Sequence, residues 1–406
     1  SRGLVGSEMC IRDRYRFTIN WIMSKSVIFL FTILISLISC QVSDNSKDEN
    51  GPNIIFIFAD DLGYGDLSSF GADDISTPNI DFIADNGIKF TDFYSVSSVC
   101  TPSRAGMLTG RLPQRFGLNG VLFPDSHTGM PSSEYTIAEL LRDNGYNTGI
   151  VGKWHLGHKH EYLPLQQGFD FFFGIPYSND MASTVYFRGN EVVDHFPDQS
   201  LMTKKLTEES IKFIESNSEN NFYLYLAHPM PHVPIYASED FIGSSERGLY
   251  GDVVQELDWS VGKIIEKLRE KNLLDNTMII FSSDNGPWLT MKEMGGSPGN
   301  LRNGKMYTFE GGMRVPTIAM LSGVIPPGTI SNEITSQLDW FPTLASLTNS
   351  KIPDDLILDG INIEVIFNGQ NLNYDRDYLY FDYERLEGYR KGCLLYTSDA
   401  ADDGVG

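Results

Sequence analysis

Apolar and polar positions along this chain alternate between two periods. Asn53-Ile54-Ile55-Phe56-Ile57-Phe58-Ala59 is a continuous apolar run. Such a run marks a strand covered on both faces, as in a parallel or mixed sheet lying between helices. Tyr146–Val151, Phe222–Ala227, Thr277–Ser282 and Val315–Leu321 read as further strands. Between them the period lengthens to that of a helix. Pro78 to Asn86 predicts a helix stopped by Gly87, Thr136 to Asn144 a second closed by Gly145, and Thr203 to Ser216 an amphipathic third. From Tyr250 to Glu270 the residues Val253, Val254, Leu257, Val261, Ile264, Ile265 and Leu268 share one helical face. Asp339 to Leu347 predicts a short helix. Strands alternating with helices predict an α/β sandwich with a large, mixed and mostly parallel central sheet between helices. A β-rich stretch, YLYFDYERLEGYR, begins at Tyr378 and predicts a small C-terminal β subdomain.

Both ends break this pattern. SRGLVGSEMCIRDR and CLLYTSDAADDGVG lack core periodicity. Residues 1–22 and 393–406 therefore read as non-native read-through, and the C-terminal subdomain beginning at 376–392 as truncated. Met23 is the expected start. The apolar run Val27–Ile38 after Lys25 is shorter than the ~20 residues that span a bilayer. It fits the core of an export signal. It closes on Leu37-Ile38-Ser39-Cys40, which resembles a bacterial lipobox. Residues 23–40 then form a lipoprotein signal peptide with Cys40 lipidated, 41–52 a polar tether, and 53–375 the main folded body. The expected location is outside a bacterial cytoplasm, periplasmic or anchored at the outer membrane, touching membrane through the lipid only. A plain secretory signal is the alternative.

Composition narrows the chemistry. The formal net charge of −22 argues against nucleic acid, whose phosphates demand a basic face. An anionic substrate would need a local positive island. Of the 4 cysteines, Cys10 and Cys393 lie in the aberrant ends and Cys40 in the signal, leaving Cys100 inside the folded body. With no internal disulfide framework to serve, Cys100 is there for another reason. No Asn-x-Ser/Thr acceptor occurs, which favours a bacterial source.

Two predicted buried strands end in paired oxygen donors: Asp60-Asp61 after the first, Asp284-Asn285 after the strand at Thr277. Ligands of open α/β sheets bind outside the carboxyl ends of strands. Three carboxylates converging there need a cation between them. Hard oxygen donors suit calcium or magnesium and disfavour zinc. In Cys100-Thr101-Pro102-Ser103-Arg104, Pro102 fits a first helical turn. That places Cys100 at a helix N-terminus, where free N–H groups favour negative charge. Lys153 and His155, two apart in GKWHLG, face the same way if the chain stays extended.

C-x-P-S-R followed by L-T-G-R resembles the signature of the type I, formylglycine-dependent sulfatase family. PNIIFIFADDLGYGDL, GKWHLG, GIPYSND, AHPMPHVP, FSSDNGP and NLRNGKMYTFEGGMRVP follow in that family's order, and the set is most similar to its arylsulfatase A-like branch. The resemblance implies an alkaline-phosphatase-like fold and hydrolysis of sulfate esters. It implies that a formylglycine-generating enzyme oxidises Cys100 to formylglycine, whose hydrate is the nucleophile. Asp60, Asp61, Asp284 and Asn285 match the metal ligands, and Arg104 the arginine holding the hydrate and the metal shell. Lys153, Lys305 and Ser178 match groups that contact sulfate. His155 matches the base that lets sulfate leave, and His232 the histidine near the leaving-group oxygen. His228 is expected to be structural. Asp284 is expected to serve also as acceptor of the nucleophile's proton. The implied substrate is a sulfated small molecule or glycan, with specificity from loops such as Met181–Phe196 and Glu239–Leu249. A phosphonate or phosphate ester hydrolase using formylglycine is one alternative, and a non-catalytic glycan-binding lipoprotein another.

Overall fold

The computed structural model describes residues 51–181, 184–195, 197–373 and 376–397, all within the unit Asn50–Gly406. The signal peptide, most of the tether and Cys40 lie outside the described residues. The strands are β1 (Asn53–Ala59), β2 (Ile88–Phe90), β3 (Phe93–Tyr94), β4 (Asn147–Lys153), β5 (Phe171–Ile175), β6 (Tyr186–Arg188), β7 (Glu191–Asp194), β8 (Phe222–Ala227), β9 (Thr277–Ser283), β10 (Thr317–Met320), β11 (Thr329–Ser331), β12 (Thr335–Ser336), β13 (Asp377–Asp382), β14 (Arg385–Lys391) and β15 (Leu394–Thr397). The α-helices are α1 (Pro78–Asp85), α2 (Cys100–Thr109), α3 (Ile137–Asp143), α4 (Met202–Ser216), α5 (Leu249–Glu270), α6 (Glu310–Met313), α7 (Trp340–Leu347) and α8 (Glu364–Phe367).

Ten strands form one sheet in the order β11-β2-β10-β9-β1-β8-β4-β5-β6-β7. Its centre, β9-β1-β8-β4-β5, is parallel throughout. Antiparallel pairs extend it through β10 on one side and β6 and β7 on the other. The alternation along β1 shows why the run was apolar throughout. Ile54, Phe56 and Phe58 enter one core with residues of α2, α3 and α7, while Ile55 and Ile57 enter the other with residues of α1, α4 and α5. Each face buries its own apolar layer, so neither set of side chains could be polar.

Met181–Phe196 was expected to be a loop, yet β6 and β7 form a hairpin at the sheet edge within it. After Gly392, a stretch without core periodicity, β15 pairs antiparallel with β14 from Gly388↔Thr397 to Lys391↔Leu394. All four β15 side chains are exposed, so backbone pairing alone makes this strand and no alternation announces it. β13, β14 and β15 form the small C-terminal sheet. It docks through Tyr378 and Tyr380 against Tyr94, and through Arg390 to Asp92 at 2.9 Å. Among the described residues no helix is long and apolar enough to cross a membrane.

Candidate active site

The parallel strands deliver their following residues to one edge of the sheet. β1 ends before Asp60 and Asp61, β9 before Asp284 and Asn285, and Lys153 is the last residue of β4. Ser178 follows β5, and His228 and His232 follow β8. All of these residues are buried. Asp61 and His155 hold φ near +62° and +61°, a left-handed conformation unfavourable for side-chain-bearing residues. The kink at His155 ends the extended run, so the alternation expected to align it with Lys153 does not continue. His155 instead hydrogen-bonds Leu122 O through Nε2 at 2.9 Å, and its backbone carbonyl accepts from Thr101 Oγ1 at 3.0 Å.

Cys100 opens α2, every residue of which is buried. Its Sγ lies 3.5 Å from Asp60 Oδ1 and 3.5 Å from Lys305 Nζ. Arg104, one turn along, reaches into the carboxylates. Its Nε and Nη2 donate to Asp284 Oδ2 at 3.1 and 2.8 Å, and Nη2 lies 3.4 Å from Asp60 Oδ2. Nη1 donates to Lys153 O at 3.1 Å. Lys153 Nζ is bonded to Asp60 and lies 3.1 Å from Ser178 Oγ. Lys305 Nζ reaches Asp61 Oδ2 at 2.8 Å. Arg104, Lys153 and Lys305 are the buried cations that an anionic substrate would meet here, each paired with a buried carboxylate.

Burial raises the Asp61 carboxyl, and burial with the neighbouring Asp60 charge raises Asp284 to about 6. Burial opposes ionisation of Asp60 too, but Lys153, His232, Arg104 and Lys305 outweigh it and hold that carboxyl well below its usual range. Burial and the adjacent Lys305 charge lower His232 to about 3, and burial with Lys153 lowers His155 well below its usual value. Both imidazoles are thus neutral near neutral pH. Because a carbonyl only accepts, His155 carries its proton on Nε2, leaving a lone pair on buried, unpartnered Nδ1. By the same reasoning His232 donates from Nδ1 to Val233 O at 2.6 Å and turns Nε2 toward Asp61 Oδ2, 3.6 Å away.

The donor set fits a divalent cation. Asn285 Nδ2 donates to Asp61 Oδ1 at 2.7 Å, while Asn285 Oδ1 is buried without a partner. An orphaned amide oxygen beside three buried carboxylates is the arrangement a hard cation satisfies. Cys100 and His232 also approach, their ligand atoms lying within 4.8 Å of those of Asp60 and Asp61. Asp284 is less free than expected. Its Oδ2 is taken by Arg104 and its Oδ1 accepts from Asp61 N at 3.1 Å, so the carboxylate beside Cys100 is Asp60.

The sulfatase family model matches residues 52–350. The chain belongs to the sulfatase family. It is 40% identical over 341 residues to human N-acetylgalactosamine-6-sulfatase, covering 77% of this chain and 65% of that one. It is 41% identical over 346 residues to bovine arylsulfatase A, covering 78% and 68%. The chain thus spans about two thirds of the length of these relatives. A sulfatase from Pseudoalteromonas sp. superposes with a TM-score of 0.81 at 29% identity, over 87% of this chain and 79% of that one. The resemblance to the arylsulfatase A-like branch and the alkaline-phosphatase-like fold are borne out.

As a sulfatase-family site, it gathers Asp60, Asp61, Cys100, Arg104, Lys153, Ser178, His232, Asp284, Asn285 and Lys305 through direct contacts. His155 joins through its carbonyl contact with Thr101. His228 turns away, its Nε2 lying 3.1 Å from Ser260 Oγ on α5. Sequence reasoning missed Gln337. This buried amide accepts from Ser103 Oγ at 2.7 Å and Val96 N at 2.9 Å, and donates to Ser283 O at 2.9 Å. It joins the start of α2 to the end of β9, and no local pattern around Gln337 signals that.

Proposed function

We propose that the chain hydrolyses sulfate esters with a nucleophile made from Cys100. The observation carrying this reading is Cys100 Sγ at the mouth of a buried helix, 3.5 Å from both the Lys305 ammonium and an Asp60 oxygen, with Pro102 and Arg104 completing the C-x-P-x-R segment. Formylglycine at position 100, when hydrated, supplies a nucleophilic hydroxyl and a second hydroxyl through which sulfate can be released. A divalent cation, taken as calcium with magnesium as alternative, would be held by Asp60, Asp61, Asp284 and Asn285 and supply positive charge to the sulfonyl oxygens. Lys153 and Lys305 bind those oxygens as fixed charges in a dry site, where such charges act strongly. Ser178, bonded to Lys153, orients the group. Arg104 holds Asp284 and Asp60 in register. The lone pair on His155 Nδ1 can take a proton from the spare hydroxyl, and His232 stands beside the leaving-group oxygen.

Sulfated glycans are the substrate class proposed first, because one similar protein is named for a sulfated amino sugar and another was solved in work on the metabolism of glycosaminoglycans by Bacteroides thetaiotaomicron. Export and lipid anchoring through Cys40 are proposed from the signal-like segment. Cys40→Ala should release the protein from the membrane fraction, and a wild type already soluble would leave only a secretory signal.

The deciding experiment is mass spectrometry of the Cys100 peptide after production with a formylglycine-generating enzyme, alongside paired assays on an aryl sulfate and an aryl phosphate. The expected result is formylglycine at position 100 and preferred turnover of the sulfate. Activity with unmodified cysteine alone would overturn the nucleophile. A modified protein inert on sulfate but fast on phosphate or phosphonate would move it to that class.

A further inference from the structure

The Lys305 ammonium has three protons to satisfy in a buried position. Asp61 Oδ2 lies at 2.8 Å and Cys100 Sγ at 3.5 Å. The remaining side is covered by the indole of Trp288, whose ring centroid is 4.5 Å from Nζ. The same indole packs against the imidazole of His232, with centroids 5.4 Å apart and planes inclined at 52°. Trp288 follows Asn285-Gly286-Pro287 directly, and Pro287 O accepts the Lys305 backbone N–H at 2.9 Å. One short segment thus carries a metal-ligand candidate, anchors the Lys305 backbone and walls the ammonium.

We propose that Trp288 is a positioning residue, its indole face holding the Lys305 ammonium toward position 100 and fixing the plane of the His232 ring. The inference rests on the sulfate-ester reading of this site. An aromatic face attracts a cation by its quadrupole, most strongly when both are desolvated. An aliphatic side chain of similar bulk fills the space without that attraction. Lys305 would then turn wholly to the carboxylate of Asp61, and its charge would leave the place where sulfonyl oxygens must sit. His232 would lose the wall that sets its ring. Trp288 need not touch the substrate for either effect.

The test compares Trp288→Phe, Trp288→Leu and Trp288→Ala in modified, metal-loaded full-length protein. Four quantities are measured: kcat and KM on an aryl sulfate, competitive inhibition by inorganic sulfate, and direct binding of inorganic sulfate by calorimetry. Trp288→Phe, which keeps a π face, should stay within about threefold of wild type, whereas Trp288→Leu should lose about tenfold or more in kcat/KM and bind sulfate several-fold more weakly. Trp288→Leu matching Trp288→Phe in sulfate affinity and kcat would overturn the proposal, since bulk alone would then suffice. If Trp288→Ala fails to fold, the Phe and Leu pair decides. If wild type turns over no sulfate ester, the functional reading fails, and the binding measurement still decides whether the indole aims Lys305 at the anion.

Discussion

Residues buried at this site differ sharply in what their removal should do. Arg104 is fully buried between Asp284 and Asp60, so Arg104→Ala leaves buried Asp284 without its ion-pair partner, while Asp60 keeps Lys153. Removing one member of such a pair costs on the order of 3–5 kcal/mol. Urea unfolding of Arg104→Ala should show that loss together with near-complete inactivity. Cys100→Ala, by contrast, should abolish turnover while shifting the urea midpoint little, because it removes one small side chain at a helix start. His228 offers a pH prediction. Burial lowers it to about 3, so the folded protein holds it neutral while the unfolded chain protonates it below about 6.5. Its contribution is therefore fully present above pH 6.5 and is lost as pH falls toward 3. Between pH 6.5 and 5 wild type should lose on the order of 2 kcal/mol more stability than His228→Gln, which keeps a polar partner for Ser260 but cannot titrate. Equal losses in both proteins would show that His228 is not the group concerned.

At the scale of elements, helices here are completed by partners distant in sequence. α1 starts after Thr77, which makes no side-chain cap. Its first N–H groups are capped from α5 instead: Asp258 Oδ1 accepts from Asn79 N at 2.9 Å and Ile80 N at 2.8 Å, and Oδ2 accepts from Asn79 Nδ2 at 2.7 Å. The helices approach so closely that a Cβ on Gly262 would lie 2.7 Å from the Asn79 amide carbon. Asp258→Ala should cost about 2 kcal/mol, a fall of roughly 4 °C in Tm, with kcat unchanged because the cap lies on the layer away from α2. Scanning calorimetry with a parallel activity assay checks both halves. α3 is the opposite case. Its capping box pairs Thr136 with Glu139, three residues apart, and that start could be read directly.

For the whole molecule, the cation links stability to activity. A group that binds only the folded state stabilises it by RT ln(1 + [L]/Kd), about 2.7 kcal/mol at a hundredfold excess over Kd. Chelation should therefore lower Tm by several degrees in wild type and equally in Cys100→Ala, and calcium should restore it in both. Restoration by zinc alone would remove the hard-oxygen assignment. Asn285→Ala should shrink the shift, since it deletes the orphaned oxygen.

The sequence by itself determined the buried parallel strands, because a strand covered on both faces must be apolar at every position. Ile54 to Phe58 and Phe222 to Ala227 needed no further information. It also determined the local chemistry: oxygen donors directly after two such strands, and Cys100 one turn before Arg104. Only the tertiary structure decided which groups meet. Asp60 stands within 3.5 Å of Cys100, and Arg104 grips Asp284 and approaches Asp60. Trp288, Gln337 and Asp258 act on residues from 17 to more than 200 positions away, through contacts that leave no local period. The edge strands β7 and β15 escaped for the same physical reason. An edge strand is held by backbone hydrogen bonds to its neighbour, and an exposed side chain carries no record of that pairing.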